Sequence, residues 1–141
     1  MGQDSPVTDD SADPRVVLIV VEVADVQRSA TLYRDAFGVD LHIDDHEGGV
    51  HDGDDRWTSG VHAAYSWDDG AFLHFALYPA KGDGPTTNVQ VGFSVSNLNV
   101  AHERALEHGA ELIHEPRPEP WGATSRYRDL DGNVVSFTET R

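Results

Sequence analysis

A chain of 141 residues is long enough for one domain with its own core, or for two small repeated modules. It contains no cysteine, which excludes disulfides, thiolate metal sites and cysteine nucleophiles. Its 25 acidic and 10 basic side chains give a formal net charge of −15, which argues against nucleic acid and anionic membranes as partners.

The first segment, residues 1–14, is polar and acidic and contains two prolines. It lacks the basic and apolar regions of a signal peptide, and its composition predicts a disordered tail. The longest apolar run, VVLIVV at residues 16–21, is too short to span a bilayer. We therefore expect a soluble, cytoplasmic protein with one folded domain at residues 15–141.

The first half of this domain, residues 15–80, has the pattern of a strand followed by a helix and three further strands. Residues 16–23, VVLIVVEV, are almost continuously apolar and β-branched, which predicts a strand buried on both faces. Asp25 is the expected N-cap of the helix, and Gly38 is the expected glycine after its end. The three further strands are predicted at 39–43, 60–67 and 71–78.

The same order of elements begins again after a linker at 79–87. A strand is predicted at 89–95 and the next helix is expected to start at Asn97, which stands 72 residues after Asp25 (97 − 25). After Gly109 comes a strand at 110–114, and the turn residues 129–133 lead into the alternating strand VVSFT. The repeat predicts a second module at 88–139, and therefore an α+β fold made of two βαβββ modules.

Three segments resemble the vicinal oxygen chelate superfamily, the group of glyoxalase I, bleomycin-resistance proteins and extradiol dioxygenases. They are VADVQRSATLYRDAFG, VGFSVSNLNVAHERALEHGAELIHEP and PWGATSRYRDLDGNVVSF. The resemblance covers about residues 15–139 and departs from the family at Leu130, where proline is usual. It implies curved mixed sheets around a cavity, and a homodimer in which two chains complete the cavities.

In metal-dependent members of that family, four histidine or glutamate side chains project into the cavity. The resemblance carries these positions to Leu18, Gln90, Ser136 and Ala76, or to Phe75 in place of Ala76 if the register slips by one residue. None of these residues is a carboxylate or an imidazole, and a divalent ion needs several such ligands. We therefore expect no metal ion and no other cofactor.

Strand alternation then predicts which other side chains face the cavity, because residues two apart on a strand share a face. A few polar groups among small and apolar ones are typical of a small-molecule pocket. The expected ligand-binding residues are Glu22, His62, His74, Gln90, Ser94 and Ser136, with Trp121 near the rim.

Each of these residues also has a less specific interpretation. His62 and His74 are either a replacement metal pair or general base, or cross-strand neighbours that hydrogen-bond ligand or water, which we favour. Glu22 is either a weak candidate for a catalytic base with a pKa raised by burial, or a carboxylate at the wet mouth of the sheet, which we favour. Trp121 either stacks on a planar ligand or covers the cavity end.

Charged residues elsewhere are interpreted more simply. Arg126 and Arg128 either face an anionic ligand or relieve the acidic surface, and we prefer the second interpretation. The acids and histidines at 44–55 resemble a loose metal-binding tract, but without a fixed geometry a solvated loop is the better interpretation.

The sequence supports three functional hypotheses. The first is a metal-free protein, similar to bleomycin-resistance proteins, that binds a small aromatic or polar molecule without converting it. The second is a lyase, isomerase or dioxygenase of the same superfamily, using a misaligned metal site or, without metal, Glu22 or a histidine. The third is a non-catalytic subunit. Fold resemblance alone does not choose among these hypotheses. We favour the binding protein, because the missing metal ligands, the several tryptophans and a cavity with a few polar groups all fit it.

Overall fold

The computed structural model describes residues 13–45 and 61–139. The predicted tail up to residue 12, and most of the acidic loop from residue 46, lie outside the described residues. The elements, in chain order, are β1 (Leu18–Val23), α1 (Val26–Asp35), β2 (His42–Asp45), β3 (Val61–Asp68), β4 (Phe72–Pro79), β5 (Gln90–Ser94), α2 (Leu98–Glu107), β6 (Glu111–Glu119), β7 (Gly122–Arg128) and β8 (Val134–Glu139). The predicted order of two βαβββ modules is confirmed.

Each module forms its own four-stranded mixed sheet, and neither sheet closes on itself. The strand orders are β1-β4-β3-β2 and β5-β8-β7-β6. In each sheet the first strand pairs in parallel with the last strand of its module, and the other pairs are antiparallel. Strands β1 and β5 therefore occupy corresponding edges of the two sheets.

The helices begin where the capping residues predict. The Asp25 carboxylate accepts a hydrogen bond from the backbone N–H of Arg28 at 3.0 Å, and the Asn97 side chain accepts one from Val100 at 3.1 Å. Gly38 has a φ of 76° and Gly109 a φ of 90°, a left-handed region that glycine enters without steric cost. Both helices therefore end before a glycine, as predicted.

The prediction that the first strand is buried on both faces is wrong. Val21 and Val23 are almost fully buried, whereas Leu18 is 54% exposed. The reason is that β1 is an edge strand, and only one of its faces packs on the core. The β-branched, apolar residues of β1 therefore reflect a preference for strand conformation as well as burial.

Two other strands differ in extent from the prediction. Strand β2 starts at His42 because Val39 and Leu41 first pack into the core at the end of α1. Strand β6 continues to Glu119 through Pro116 and Pro118. Proline is tolerated there because β6 is an edge strand whose register shifts on either side of His114.

A single hydrophobic core joins the two modules. The ring of Phe37, just after α1, lies 5.9 Å from Tyr127 and 6.1 Å from Phe137 in the second sheet. Phe93 of β5 reaches across to Phe75 of the first sheet, at 6.0 Å. We call the sheet faces that contribute to this core the helix-side faces, and the opposite faces the helix-free faces. No helix among the described residues is long and apolar enough to cross a membrane.

Candidate functional site

Four residues whose Cα atoms lie opposite each other on neighbouring strands form a row across the helix-free face of each sheet. The two rows occupy matching positions in the two modules. In module one the row is Val20, Ala76, Ala64 and His42, and in module two it is Gly92, Ser136, Arg126 and His114. Residues paired in this way point to the same side of a sheet. The geometry at Gly92 agrees, since a Cβ placed there would lie 3.0 Å from Oγ of Ser136.

The register also locates the four positions that the resemblance assigned to metal ligands. Ala76 occupies in module one the place that Ser136 occupies in module two, so the alternative of Phe75, which points into the core, does not apply. Leu18 lies two residues before Val20, and Gln90 two residues before Gly92, so each shares the helix-free face of its sheet. Together the four positions offer a hydrocarbon, a methyl, an amide and a hydroxyl, which do not fit a divalent ion. Within the described residues, no group of three or more His, Asp or Glu could hold one.

His62 and His74 share the helix-free face of module one, but they are not cross-strand neighbours as we expected. The Cα partner of His74 is Ser66, whose Oγ lies 2.6 Å from Nδ1 of His74. The ring of His62 instead stacks on Tyr78, with centroids 4.6 Å apart. The hairpin turn pairs Asp68 with Phe72, so the two histidines lie four residues, or about 13 Å, apart along the sheet.

Glu22 lies at the Tyr78 end of the same face. Its Cα partner is Tyr78, and it is half-buried. The linker closes the edge of β1 at this point, because Glu22 N–H donates to Oγ1 of Thr86 and Thr86 N–H donates to the Glu22 carbonyl, both at 2.8 Å. Glu22 and the stacked His62–Tyr78 pair therefore form one polar end of the face.

The remaining expected residues belong to module two. Gln90 and Ser94 are exposed on the edge strand β5, and Ser136 is 5% exposed in the neighbouring β8. Trp121 lies in the turn between β6 and β7, at the end of the sheet, and is 58% exposed. Because the helix-side faces share the core, both helix-free faces turn away from it. A single chain therefore does not bring the module-one and module-two residues together.

A cavity of about 310 Å³ lies instead between the modules, walled mainly by the helix-side faces and reaching the edge strand β5 at Gly92 and Ser94. Its walls are mainly aromatic and aliphatic, and they include Phe37, Trp67, Phe75 and Phe93. The guanidinium of Arg104 closes one side, where a side chain at Gly38 would collide with it. Of the seven residues expected to bind ligand, Ser94 is the one that lines this junction cavity.

Sequence reasoning missed two prominent side chains of the helix-free faces, and it interpreted a third as a charge that relieves the acidic surface. Phe72 is 48% exposed and its ring is parallel to that of His74, while Tyr78 stacks on His62. Alternation from Ala76 along β4 already indicated both of these residues. The third is Arg126, whose position beside Ser136 required the register of β7 and β8.

Comparison with protein-family models identifies the family of the chain. The family model described as "Glyoxalase/Bleomycin resistance protein/Dioxygenase superfamily" matches residues 15–137. No curated protein sequence matches the chain.

Solved structures with the same fold are similar over nearly the whole chain. The antibiotic binding protein TnmS3 from Streptomyces sp. CB03234 is 21% identical, with a TM-score of 0.67 over 93% of this chain and 99% of that one. TioX from Micromonospora sp. ML1 is 19% identical, with a TM-score of 0.61 over 91% of this chain and 100% of that one. A superfamily member from Sphaerobacter thermophilus DSM 20745 is 17% identical, with a TM-score of 0.63 over 90% and 98%.

Proposed function

Because the chain belongs to the glyoxalase/bleomycin resistance protein/dioxygenase superfamily, we propose that it binds a small, aromatic organic molecule without a metal ion and without converting it. The observation that carries the proposal is the pair of rows on the helix-free faces. These faces keep a mixture of small, polar and aromatic side chains suited to a ligand, while the chelating positions hold Leu18, Ala76, Gln90 and Ser136.

The ligand site is completed by a second copy of the chain. Each helix-free face turns away from the core of its own chain, and the edge strands β1 and β5 carry exposed residues such as Leu18 and Gln90. A homodimer that sets the module-one face of one chain against the module-two face of its partner encloses a cavity between them. In that arrangement Glu22, His62 and His74 face Gln90, Ser94 and Ser136 of the partner.

Aromatic side chains then provide flat contacts for a planar ligand. Trp121 exposes its indole at the end of the module-two sheet and has no ring partner within the described residues, and Phe72 exposes its ring beside His74. Stacking on such a ring contributes about 1 kcal/mol beyond the burial of area. The structurally similar TnmS3 is an antibiotic binding protein, which supports a natural product as the ligand class. The cytoplasm is the expected place for such sequestration.

The proposal is tested by identifying a ligand and checking whether the ligand is chemically unchanged after binding. Native mass spectrometry of protein purified from its own host identifies a bound molecule, and tryptophan fluorescence or calorimetry measures affinity for planar aromatic natural products and antibiotics. Chromatography of the mixture after long incubation checks for turnover. We expect saturable binding and an unchanged ligand. Catalytic release of a product would instead make the chain an enzyme.

Variants locate the site. Trp121→Ala should weaken binding about tenfold through the lost stacking. Gln90→Ala should have a smaller effect, while Leu130→Ala, at an exposed apolar residue outside both faces, should have none. If neither Trp121→Ala nor the double change His62→Ala/His74→Ala alters the affinity for a true ligand, the ligand does not bind the helix-free faces.

A further inference from the structure

Arg126 projects from the middle of the module-two face with its charge uncompensated. It is half-buried on β7, with Ser136 of β8 and His114 of β6 as its Cα partners. Its Nη1 lies 3.0 Å from Nε2 of His114. Its Nε is buried and meets no hydrogen-bond partner among the described residues. A guanidinium is always charged, so a cation with an unused donor stands on this face.

His114 does not neutralise that cation. Its Nδ1 lies 2.9 Å from the carbonyl oxygen of Glu115, which only accepts hydrogen bonds, so Nδ1 carries the proton. Nε2 is then a lone-pair acceptor for the Arg126 N–H, and the imidazole is neutral. The contact therefore fixes the orientation of the guanidinium without providing a counter-charge.

No carboxylate on the surrounding face fills this role either. The neighbours of Arg126 along β7 and across on β8 are neutral or cationic: Thr124, Arg128, Val134, Ser136 and Thr138. On β6, the carboxylate of Glu111 lies diagonal to Arg126, opposite Arg128. The nearest other arginine of the strand, Arg128, is different, because its Nε lies 4.0 Å from a carboxylate oxygen of Glu111. Among the described residues, Arg126 forms no ion pair with a carboxylate, and its distinguishing feature is the buried Nε without a hydrogen-bond partner.

The repeated architecture gives an internal comparison. The module-one position equivalent to Arg126 is Ala64, and the equivalent of Ser136 is Ala76. The same row therefore carries a cation and a hydroxyl in one module and two methyl groups in the other. Opposed across a cavity, these rows suit a ligand with one anionic end and one apolar end.

We propose that Arg126, with Ser136 beside it, is an anion-binding subsite, and that the ligand is an aromatic molecule carrying a carboxylate, sulfonate or comparable acidic group. The inference rests on the proposed function, since it assigns a chemical class to the ligand of the same faces. An oxyanion on this face would lie against the half-buried guanidinium of Arg126 and accept a hydrogen bond from the Ser136 hydroxyl. Charge-assisted bonds of this kind are roughly twice as strong as neutral ones.

A matched pair of fluorescent probes tests the subsite. Anilinonaphthalene sulfonate is a planar aromatic anion, and phenylnaphthylamine is the same ring system without the sulfonate. We expect wild-type protein to bind both. Arg126→Gln should weaken the sulfonate probe about tenfold or more, and change the affinity for the neutral probe by less than about twofold. The unchanged neutral probe also reports that the variant is folded.

Two control arginines make the result specific. Arg128→Gln, on the same strand and face but paired with Glu111, should leave both affinities nearly unchanged. Arg104→Gln removes the guanidinium of the junction cavity. If that change, rather than Arg126→Gln, weakens the sulfonate probe, the anion binds between the modules and the subsite at Arg126 is refuted.

The remaining outcomes separate the inference from the function on which it rests. Equal weakening of both probes by Arg126→Gln would mean that Arg126 supports the cavity and does not select anions. Unchanged binding of both probes would refute the subsite and leave the binding function intact. If the wild-type protein binds neither probe, the anion subsite is refuted, and the binding function is decided by the search for a ligand described above.

Discussion

The hydroxyl of Tyr33, in the helix of module one, donates a hydrogen bond of 2.8 Å to Oδ2 of Asp129, in the last turn of module two. Both side chains are buried. The other oxygen of Asp129 accepts the backbone N–H groups of Asp131 and Asn133, which holds the turn in shape. Burial, with the charge of Asp129 adding to it, raises the pKa of Tyr33 well above its usual value. The phenol therefore remains a donor throughout the physiological range.

We expect Tyr33→Phe to destabilise the fold by about 1–3 kcal/mol, because the buried Oδ2 of Asp129 then keeps only the long 3.4 Å hydrogen bond from the Asn133 amide. The ring itself, which packs 5.2 Å from Phe37 and 5.7 Å from Phe75, is retained. Urea unfolding measures the effect. Tyr65→Phe is the matched control, since Tyr65 is half-buried and no hydrogen bond to its hydroxyl is seen among the described residues. Equal stability of the two variants would contradict the prediction.

Asp131, in the same turn, should make stability fall as the pH rises through the acid range. Burial raises its pKa; the backbone N–H of Ala24 opposes the shift, and the charge of Asp129 adds to it. The folded chain then holds this proton more tightly than the unfolded chain does. The resulting stabilisation is complete below the ordinary pKa of an aspartic acid and is lost as the pH passes the raised value.

The variant Asp131→Asn removes this titration and keeps an oxygen for Ala24. Its urea midpoint, relative to that of the wild type, should rise between pH of about 3 and about 7. Because the other titrating groups are common to both proteins, the difference isolates Asp131. If the urea midpoint of Asp131→Asn relative to that of the wild type stays constant, or falls with increasing pH, the pKa of Asp131 is not raised.

The protein should be a homodimer in solution. Light scattering at micromolar concentration should give about twice the 15.4 kDa of one chain. Leu18→Lys puts a charge on the exposed edge strand β1 and should favour the monomer. Val100→Lys, on the exposed side of α2, is the control and should leave the mass unchanged. A monomeric wild type would remove the proposed cavity between chains.

The protein purified without a histidine tag should carry well under one equivalent of zinc, nickel, iron or manganese. The reason is that the four positions that the resemblance assigns to metal ligands hold no carboxylate or imidazole. Elemental analysis after dialysis measures the metal. The matched control introduces ligands at these four positions with Leu18→His, Ala76→Glu, Gln90→His and Ser136→Glu, and should retain metal. Stoichiometric metal in the wild type would show that a site of different composition exists.

Local signals explain the part of the fold that could be predicted. Asp25 and Asn97 cap helices through their own side chains, and Gly38 and Gly109 end them through a backbone conformation that other residues resist. These capping and terminating residues act over a short stretch of chain. Because the two N-caps, Asp25 and Asn97, recur 72 positions apart (97 − 25), the two modules could be identified from the sequence.

Pairing between strands explains what could not be predicted. An even separation of His62 and His74 correctly indicates a common face, but only the hairpin register determines that Ser66, not His62, lies opposite His74. In the same way, no local pattern indicates that Arg126 lacks an acidic partner while Arg128 has one. Such facts depend on which side chains meet after folding, and they include the junction cavity beside Arg104.

The core shared through Phe37 and Phe93 has a consequence for how the duplicated halves behave. Each half relies on aromatic rings of the other to cover its own sheet, so neither half is a separable folding unit. Amides at the centres of both sheets, such as those of Phe75 and Phe137, should exchange with solvent at a common rate set by global unfolding. Cutting the chain in the linker at 79–87 should therefore yield two fragments that fold only when mixed.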